Sequence, residues 1–276
     1  MSELSVSQLL STKTLTLRDV VCGGECRHKS AEECAQVTQL VFPYRGVYVR
    51  HVGRVDAVAE ANQVLFFNEG ESYRISHPVS GGDACLSLTL DESLLRELAG
   101  RRLLRAGEVL GFNGQRLRID PRAQALVALL RHSLRRNLAE TLEGETLVLT
   151  LVRRALGERT SHAPRASIGR QKLVDRAKLV ISSDLSRRWT LAEIAAEVGG
   201  SPVYLTQVFQ QVEGVPLYRY QVRLRLARAL DLLESFDDLT SLGLHLGFSS
   251  HSHFSSAFRQ AYGRTPAEFR RTVHQR

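Results

Sequence analysis

Hydrophobic and polar positions change their period once along this chain. Over residues 10–120 the apolar residues come in short runs, "VTQLVF", "GVYVRHV", "NQVLFF", "SYRISH" and "ACLSLTL", rich in Val, Tyr and Phe. Gly, Asn, Pro or Asp separates them at fairly even intervals, which predicts short antiparallel strands in a sandwich or barrel. Two helical stretches follow. Residues 121–138 open with Pro121 behind Asp120, a cap and first-turn pair, and residues 144–157 carry Leu147, Val148, Leu151, Val152 and Ala155 on one face. They read as a helical hairpin laid on the strands or paired with a second subunit. The stretch "ERTSHAPRASIGR" (158–170) is polar and aperiodic, hence a linker, and everything beyond it is helical. The expected organisation is a β-rich domain over 1–157, a linker over 158–169 and an all-α domain over 170–276.

The all-α part repeats itself. Thr190 and Glu193 form a capping box, Ile194, Ala195 and Val198 give the following helix a buried side, and Gly199-Gly200 end it. Ser201 caps the next helix with Pro202 at its first position. Its apolar stripe is Leu205, Val208, Phe209 and Val212, and its opposite face is Val203, Thr206, Gln207 and Gln210. Residues 239–263 have the same grammar: a helix, a break at Gly247, a cap at Ser250, then a helix with Phe254, Ala257, Phe258 and Ala261 on one side. Ser252, Ser255, Ser256 and Arg259 lie on the other side, with His251 in the first turn. Leu205 maps onto Phe254 and Gln207 onto Ser256, an offset of 49 residues. Two helix-turn-helix units are predicted. The continuous helical pattern between them, residues 216–235, would span roughly 30 Å at about 1.5 Å per residue. That approaches the ~34 Å repeat of B-DNA, so two copies could face successive major-groove segments.

Charge sharpens this reading. The formal net charge is +8, with 21 Lys and Arg against 19 Asp and Glu in residues 1–164, but 16 against 10 in residues 165–276. The shorter part therefore carries most of the excess, as a polyanion-binding domain would. Gln207 and Gln210 suit adenine edges, Ser and Thr suit bases or phosphates, and Arg259 suits guanine or phosphate. Arg219, Arg223, Arg225, Arg228, Arg264 and Arg270 are candidate backbone contacts. An apolar fraction of 43% and charged fraction of 24% fit a globular protein. No window suits a membrane span, and the N-terminus lacks the basic start and apolar middle of a secretion signal, so a cytoplasmic protein is expected.

Residues 170–272 resemble the DNA-binding domain of the AraC/XylS family of bacterial transcription regulators. The resemblance rests on "TLAEIAAEVGGSPVYLTQVF", "RLRLARALDLL" and "LGFSSHSHFSSAFRQAYGRTPAEFRR". It implies that the helices starting near Ser201 and Ser250 are recognition helices, and it implies double-stranded DNA and RNA polymerase as partners, for an activator or repressor working as a homodimer. Three positions depart from the family pattern. Gly243 stands where Ala is usual, Gly200 replaces a larger apolar residue, and Ser256 falls where Arg is frequent. Residues 10–156 more loosely resemble the family's cupin-type effector and dimerisation domain. The fold class expected overall is α+β: a cupin-like antiparallel β-barrel with a helical hairpin, then an all-α domain.

The N-terminal part lacks the His-x-His pair of a cupin enzyme, and no nucleophile–base constellation stands out, so neither an enzyme nor a resident cofactor is expected. For a small-molecule effector pocket, the candidate polar residues are Tyr48, Arg50, His51, Arg74 and His77. Cys22, Cys26 and Cys34, with His28 and the distant Cys85, offer a different possibility, a metal site or a redox sensor in place of an organic effector. The spacing C-x3-C-x7-C is not a standard zinc pattern, and free cysteines are often small buried hydrophobes. Dimerisation is expected through the hairpin, whose Leu126, Leu129, Leu130, Leu147, Leu151 and Val152 exceed what two helices can bury against each other.

Overall fold

Side chains alternate between the faces of a strand, so a strand with both faces covered reads as a continuous apolar run rather than as an alternation. That is the reason for runs such as "QVLFF". The computed structural model describes residues 4–24, 27–105, 107, 110–157 and 167–274. Its N-terminal strands are β1 (Leu4–Ser11), β2 (Leu15–Cys22), β3 (Glu33–Cys34), β4 (Gln39–Arg45), β5 (Tyr48–Val52), β6 (Val55–Ala59), β7 (Gln63–Phe67), β8 (Ser72–Ser76) and β9 (Asp83–Leu90). A short helix α1 (Glu92–Leu98) and strand β10 (Arg116–Arg118) precede the hairpin α2 (Pro121–Arg135) and α3 (Thr141–Leu156). One sheet has the order β1-β2-β9-β4-β7-β10 and the other β3-β8-β5-β6, and every pairing is antiparallel.

The two faces of the larger sheet do different work. Leu17, Leu40, Phe42, Val64, Phe66, Leu86 and Leu88 pack with Val127 and Leu130 of α2 and with Val148, Leu151 and Val152 of α3. The intervening residues Val20, Val41, Leu65, Phe67 and Cys85 meet Tyr48, Ala59, Tyr73 and Ile75 of the smaller sheet. The result is three layers: sheet, sheet, hairpin. Asp120 caps α2 by accepting from the Ala123 N–H at 2.9 Å and also accepts from Arg154 Nε at 2.7 Å, which fastens α3 to the start of α2. Helix α1 and strand β1 were not among the expected elements. The hairpin also differs from expectation in use. Leu130, Leu151 and Val152 are fully buried in their own chain's core, and Leu126 and Leu147 are half-buried against it. Most of the apolar surface assigned to dimerisation is therefore spent inside the unit.

The chain divides into two compact units between Thr160 and Ser161, a boundary that falls in undescribed residues. The expected linker, 158–169, lies outside the described residues as far as 166. The second unit holds α4 (Ile168–Ser183), α5 (Leu191–Val198), α6 (Pro202–Glu213), α7 (Leu217–Leu232), α8 (Leu239–His245), α9 (His251–Tyr262) and α10 (Pro266–His274). Its local signals act as the sequence predicts. Thr190 and Glu193 complete a reciprocal capping box, Ser201 accepts from the Tyr204 N–H, and Ser250 accepts from the His253 N–H. Leu173, Ile181, Ile194, Val198, Phe209 and Leu224 form one core across α4 to α7. Within it Lys178 Nζ lies 2.6 Å from Glu213 Oε1, a fully buried pair joining α4 to the end of α6. Phe248, Phe254 and Phe258 are buried around α8 and α9, each ring within 6 Å of the next. Gly243 sits where these helices cross, and an added Cβ would lie 3.1 Å from the Phe254 Cβ. An alanine there would require Phe254 to give by a few tenths of an ångström. Helix α7 has 16 residues, about 24 Å, shorter than the 216–235 pattern suggested.

Candidate nucleic-acid interface and pocket

Each helix-turn-helix presents its second helix with one stripe buried and the other open. On α6, Leu205, Val208 and Phe209 are buried, while Ser201, Val203, Gln207 and Gln210 are exposed. Thr206 is half-buried, and its hydroxyl donates to the Pro202 carbonyl at 3.0 Å. On α9, Ser250, His251, Ser252, Ser256 and Arg259 are exposed, and half-buried Ser255 shares a hydrogen bond of 3.3 Å with His251 Nε2. Tyr204, which the sequence analysis did not single out, is exposed beside Val203 and belongs to the same outer surface of α6.

The arginines divide. Arg219 is exposed and Arg223 half-buried, and Arg264 is exposed with a bond to Thr272 Oγ1 at 2.9 Å. Arg225 is not a backbone contact, because it is buried. Its Nε donates to the Leu185 carbonyl at 2.7 Å, and its two terminal nitrogens donate to Arg187 at 2.8 Å and Gly247 at 3.1 Å. Gln221, one turn earlier on α7, donates to the same Arg187 carbonyl. Helix α7 thus clamps the loop before α5 to the turn between α8 and α9. Gly247 is required there, since its φ is +80° and a Cβ would come 2.1 Å from the Ser186 carbonyl oxygen. Arg228 pairs with Asp231, and Arg270 donates to the carbonyls of Phe236 and Asp237, so both are also engaged within the fold.

Capping carboxylates add an electrostatic signature. Backbone and hydroxyl donors of Thr190, with help from Arg187, hold Glu193 down at about 2, and donors from Ser241 and Thr240 hold Asp238 at about 2. Groups whose folded pKa is depressed stabilise the fold above their ordinary values of 4.5 and 3.8, and that stability drains away as pH falls toward 2. The melting temperature of the second unit should therefore drop on acidification below about 4.5, and Glu193→Gln with Asp238→Asn should flatten the drop. Differential scanning calorimetry across this range checks it. An unchanged pH profile in the double variant would show that the caps do not carry the effect.

In the first unit a cavity of about 330 Å³ opens between the two sheets. Tyr48 and His77 line it, as expected, together with Val41, Phe67, Tyr73 and Cys85. Three expected pocket residues are elsewhere. Arg50 is fully buried, donating to the Phe66 carbonyl at 2.9 Å and to Glu71 at 2.6 Å, with its guanidinium 4.1 Å from the Phe67 ring centre. His51 bonds Asp56 at 2.6 Å and Ser76 at 2.9 Å, and Arg74 is exposed against Glu32. Burial pushes the Tyr48 hydroxyl well above its ordinary range, so it is a neutral donor in the wall. The apolar lining was legible as i, i+2 positions on neighbouring strands, had the facing of the two sheets been known. Among the cysteines, Cys22 is half-buried, Cys34 exposed and Cys85 buried, while Cys26 lies outside the described residues. Among the described residues the one metal-capable group is Cys22, His77 and Asp83, and Cys34 is not part of it.

Comparison with known proteins locates the second unit's relatives. Residues 194–272 match a protein family described as a helix-turn-helix domain. The regulatory protein PocR of Salmonella typhimurium is 32% identical over 96 residues, which are 34% of this chain and 32% of that protein. The HTH-type transcriptional activator RhaR of Klebsiella pneumoniae is 28% identical over 155 residues, 54% of this chain and 53% of the other. A crystal structure of a transcriptional regulator with an AraC-type DNA-binding domain, from Chromobacterium violaceum, is 33% identical. It covers 39% of this chain and 96% of its own, with a TM-score of 0.37. The chain thus spans about a third of the length of the first relative and about half of the second. Among the described residues no helix is long and apolar enough to cross a membrane.

Proposed function

We propose that the chain is a member of the AraC/XylS family of transcriptional regulators and a cytoplasmic, one-component regulator, a reading supported by the helix-turn-helix match over residues 194–272 and by its regulator relatives. Its second unit binds double-stranded DNA through α6 and α9, and the cavity of its first unit takes a small-molecule effector. One observation carries the DNA reading: two capped helices expose matching polar stripes and are fixed to one another through α7. Ser201, Gln207, Gln210, Ser252, Ser256 and Arg259 face the bases or phosphates, and Arg219, Arg223 and Arg264 supply charge along the backbone. RNA polymerase is the further partner such an activator would need. The first unit is read as cupin-like because two antiparallel sheets enclose its cavity. A homodimer would use what the hairpin leaves open, Leu142 and the outer edges of Leu129 and Leu149.

Residues 165–276 alone should bind DNA with steep salt dependence, because neutralised phosphates release counterions. Gln207→Ala should cost roughly 1–3 kcal/mol at a subset of base positions and little elsewhere. Fluorescence anisotropy against a panel of site variants measures both. Equal losses across the panel would show that Gln207 reads no base, and absence of binding at low salt would overturn the assignment of the unit.

A further inference from the structure

The larger sheet brings the end of β2 against the start of β9, so that Cys22 stands directly opposite Asp83. His77, just beyond β8 of the smaller sheet, reaches across to them. Its Nε2 lies 2.6 Å from Asp83 Oδ1, and a donor atom from each of the three side chains lies within 4.8 Å of the others. The imidazole is 8% exposed, and its Nδ1 has no hydrogen-bond partner among the described residues. Leaving a buried ring nitrogen unpaired costs stability. The backbone is also shaped around this ring: a Cβ on Gly24 would come 2.7 Å from its Cε1 and Nδ1.

We propose that Cys22, His77 and Asp83 form a binding site for a divalent transition metal, zinc being the best fit, in the wall of the first unit's cavity. A thiolate, an imidazole and a carboxylate are the donor set of zinc rather than of calcium or magnesium, which take oxygen ligands. Zinc bonds of about 2.0–2.3 Å put tetrahedral donors roughly 3.3–3.8 Å apart, so seating an ion parts His77 Nε2 from Asp83 Oδ1, now at 2.6 Å, by about 1 Å and gathers around it three donors that already lie within 4.8 Å of one another. All three residues line the cavity, so a fourth coordination position would open into it. Cys85 also lines the cavity, but the donor atoms that come within 4.8 Å of one another are those of Cys22, His77 and Asp83, which makes Cys22 the sulfur donor. The site stands apart from the DNA-binding reading, and its test needs no DNA.

The experiment is titration of chelator-stripped, full-length protein with Co²⁺, followed by competition with Zn²⁺. One equivalent should bind and give a thiolate-to-cobalt charge-transfer band in the near ultraviolet, which Zn²⁺ then abolishes. Cys22→Ser should remove the band, and His77→Gln should weaken binding more than ~100-fold, beyond the ~10–100-fold cost of losing an outer-shell partner. Cys34→Ser should leave both unchanged. Circular dichroism confirms that each variant is folded; if Cys22→Ser is not, Asp83→Asn, which can still hydrogen-bond the ring, should show the same loss of affinity. No saturable binding would overturn the proposal, as would a band that persists in Cys22→Ser or affinity retained in Asp83→Asn.

Discussion

Phe258→Ala is expected to loosen or unfold the second helix-turn-helix and abolish DNA binding while the first unit stays folded. Phe258 is fully buried, with ring centres of Phe254 at 5.8 Å, Tyr262 at 4.6 Å and Phe269 at 5.9 Å. These aromatic partners come from α9 itself and from α10. Truncating a buried Phe costs about 3–5 kcal/mol through lost burial and the cavity left behind. A small unit has only about 5–15 kcal/mol in total. The first unit keeps its own core of Leu17, Phe42, Phe66 and Leu88, which this change does not touch. Thermal unfolding beside an operator-binding assay tests it. A variant that melts with the parent yet fails to bind would mean that Phe258 acts at the DNA surface rather than in the core.

Arg225→Ala should weaken binding to every operator variant alike, for a reason different from a lost phosphate contact. The substitution strips the carbonyls of Leu185, Arg187 and Gly247 of their guanidinium donor. The Arg187 carbonyl keeps its bonds from Gln221 and the Trp189 N–H, whereas those of Leu185 and Gly247 are orphaned at about 1–3 kcal/mol each; water admitted to the site recovers part of that, so about 3 kcal/mol overall is expected. The clamp between the two helix-turn-helix units is then open, and they no longer present α6 and α9 in one fixed relation. Arg225→Lys should not restore it, because an ammonium cannot reach three carbonyls in the planar fork of a guanidinium. The deciding measurement is the dependence of log affinity on log salt. A lost phosphate contact lowers that slope by about 1, whereas an opened clamp lowers affinity with the slope intact. A reduced slope with unchanged thermal stability would return Arg225 to the DNA.

These two residues mark the line between what sequence and tertiary structure each decide. The second unit was legible because its signals are short-range. Ser201 and Ser250 cap the backbone three residues on, the Thr190–Glu193 box closes within one turn, and the stripes of α6 and α9 repeat at three and four residues. Nothing so local says where a long side chain ends. Arg225 and Arg219 look alike along the chain, yet one is spent on carbonyls 22 to 40 residues away and the other is open to solvent. In the first unit the strands themselves were readable, but which face met the hairpin and which met the other sheet was not, because both faces are apolar. Arg50, His51 and Arg74 therefore passed for pocket residues alongside Tyr48 and His77. Cys22, His77 and Asp83 lie on three separate segments, joined only by the pairing of β2 with β9 and by the facing of the two sheets. Their meeting is a product of topology, which no spacing along the sequence encodes.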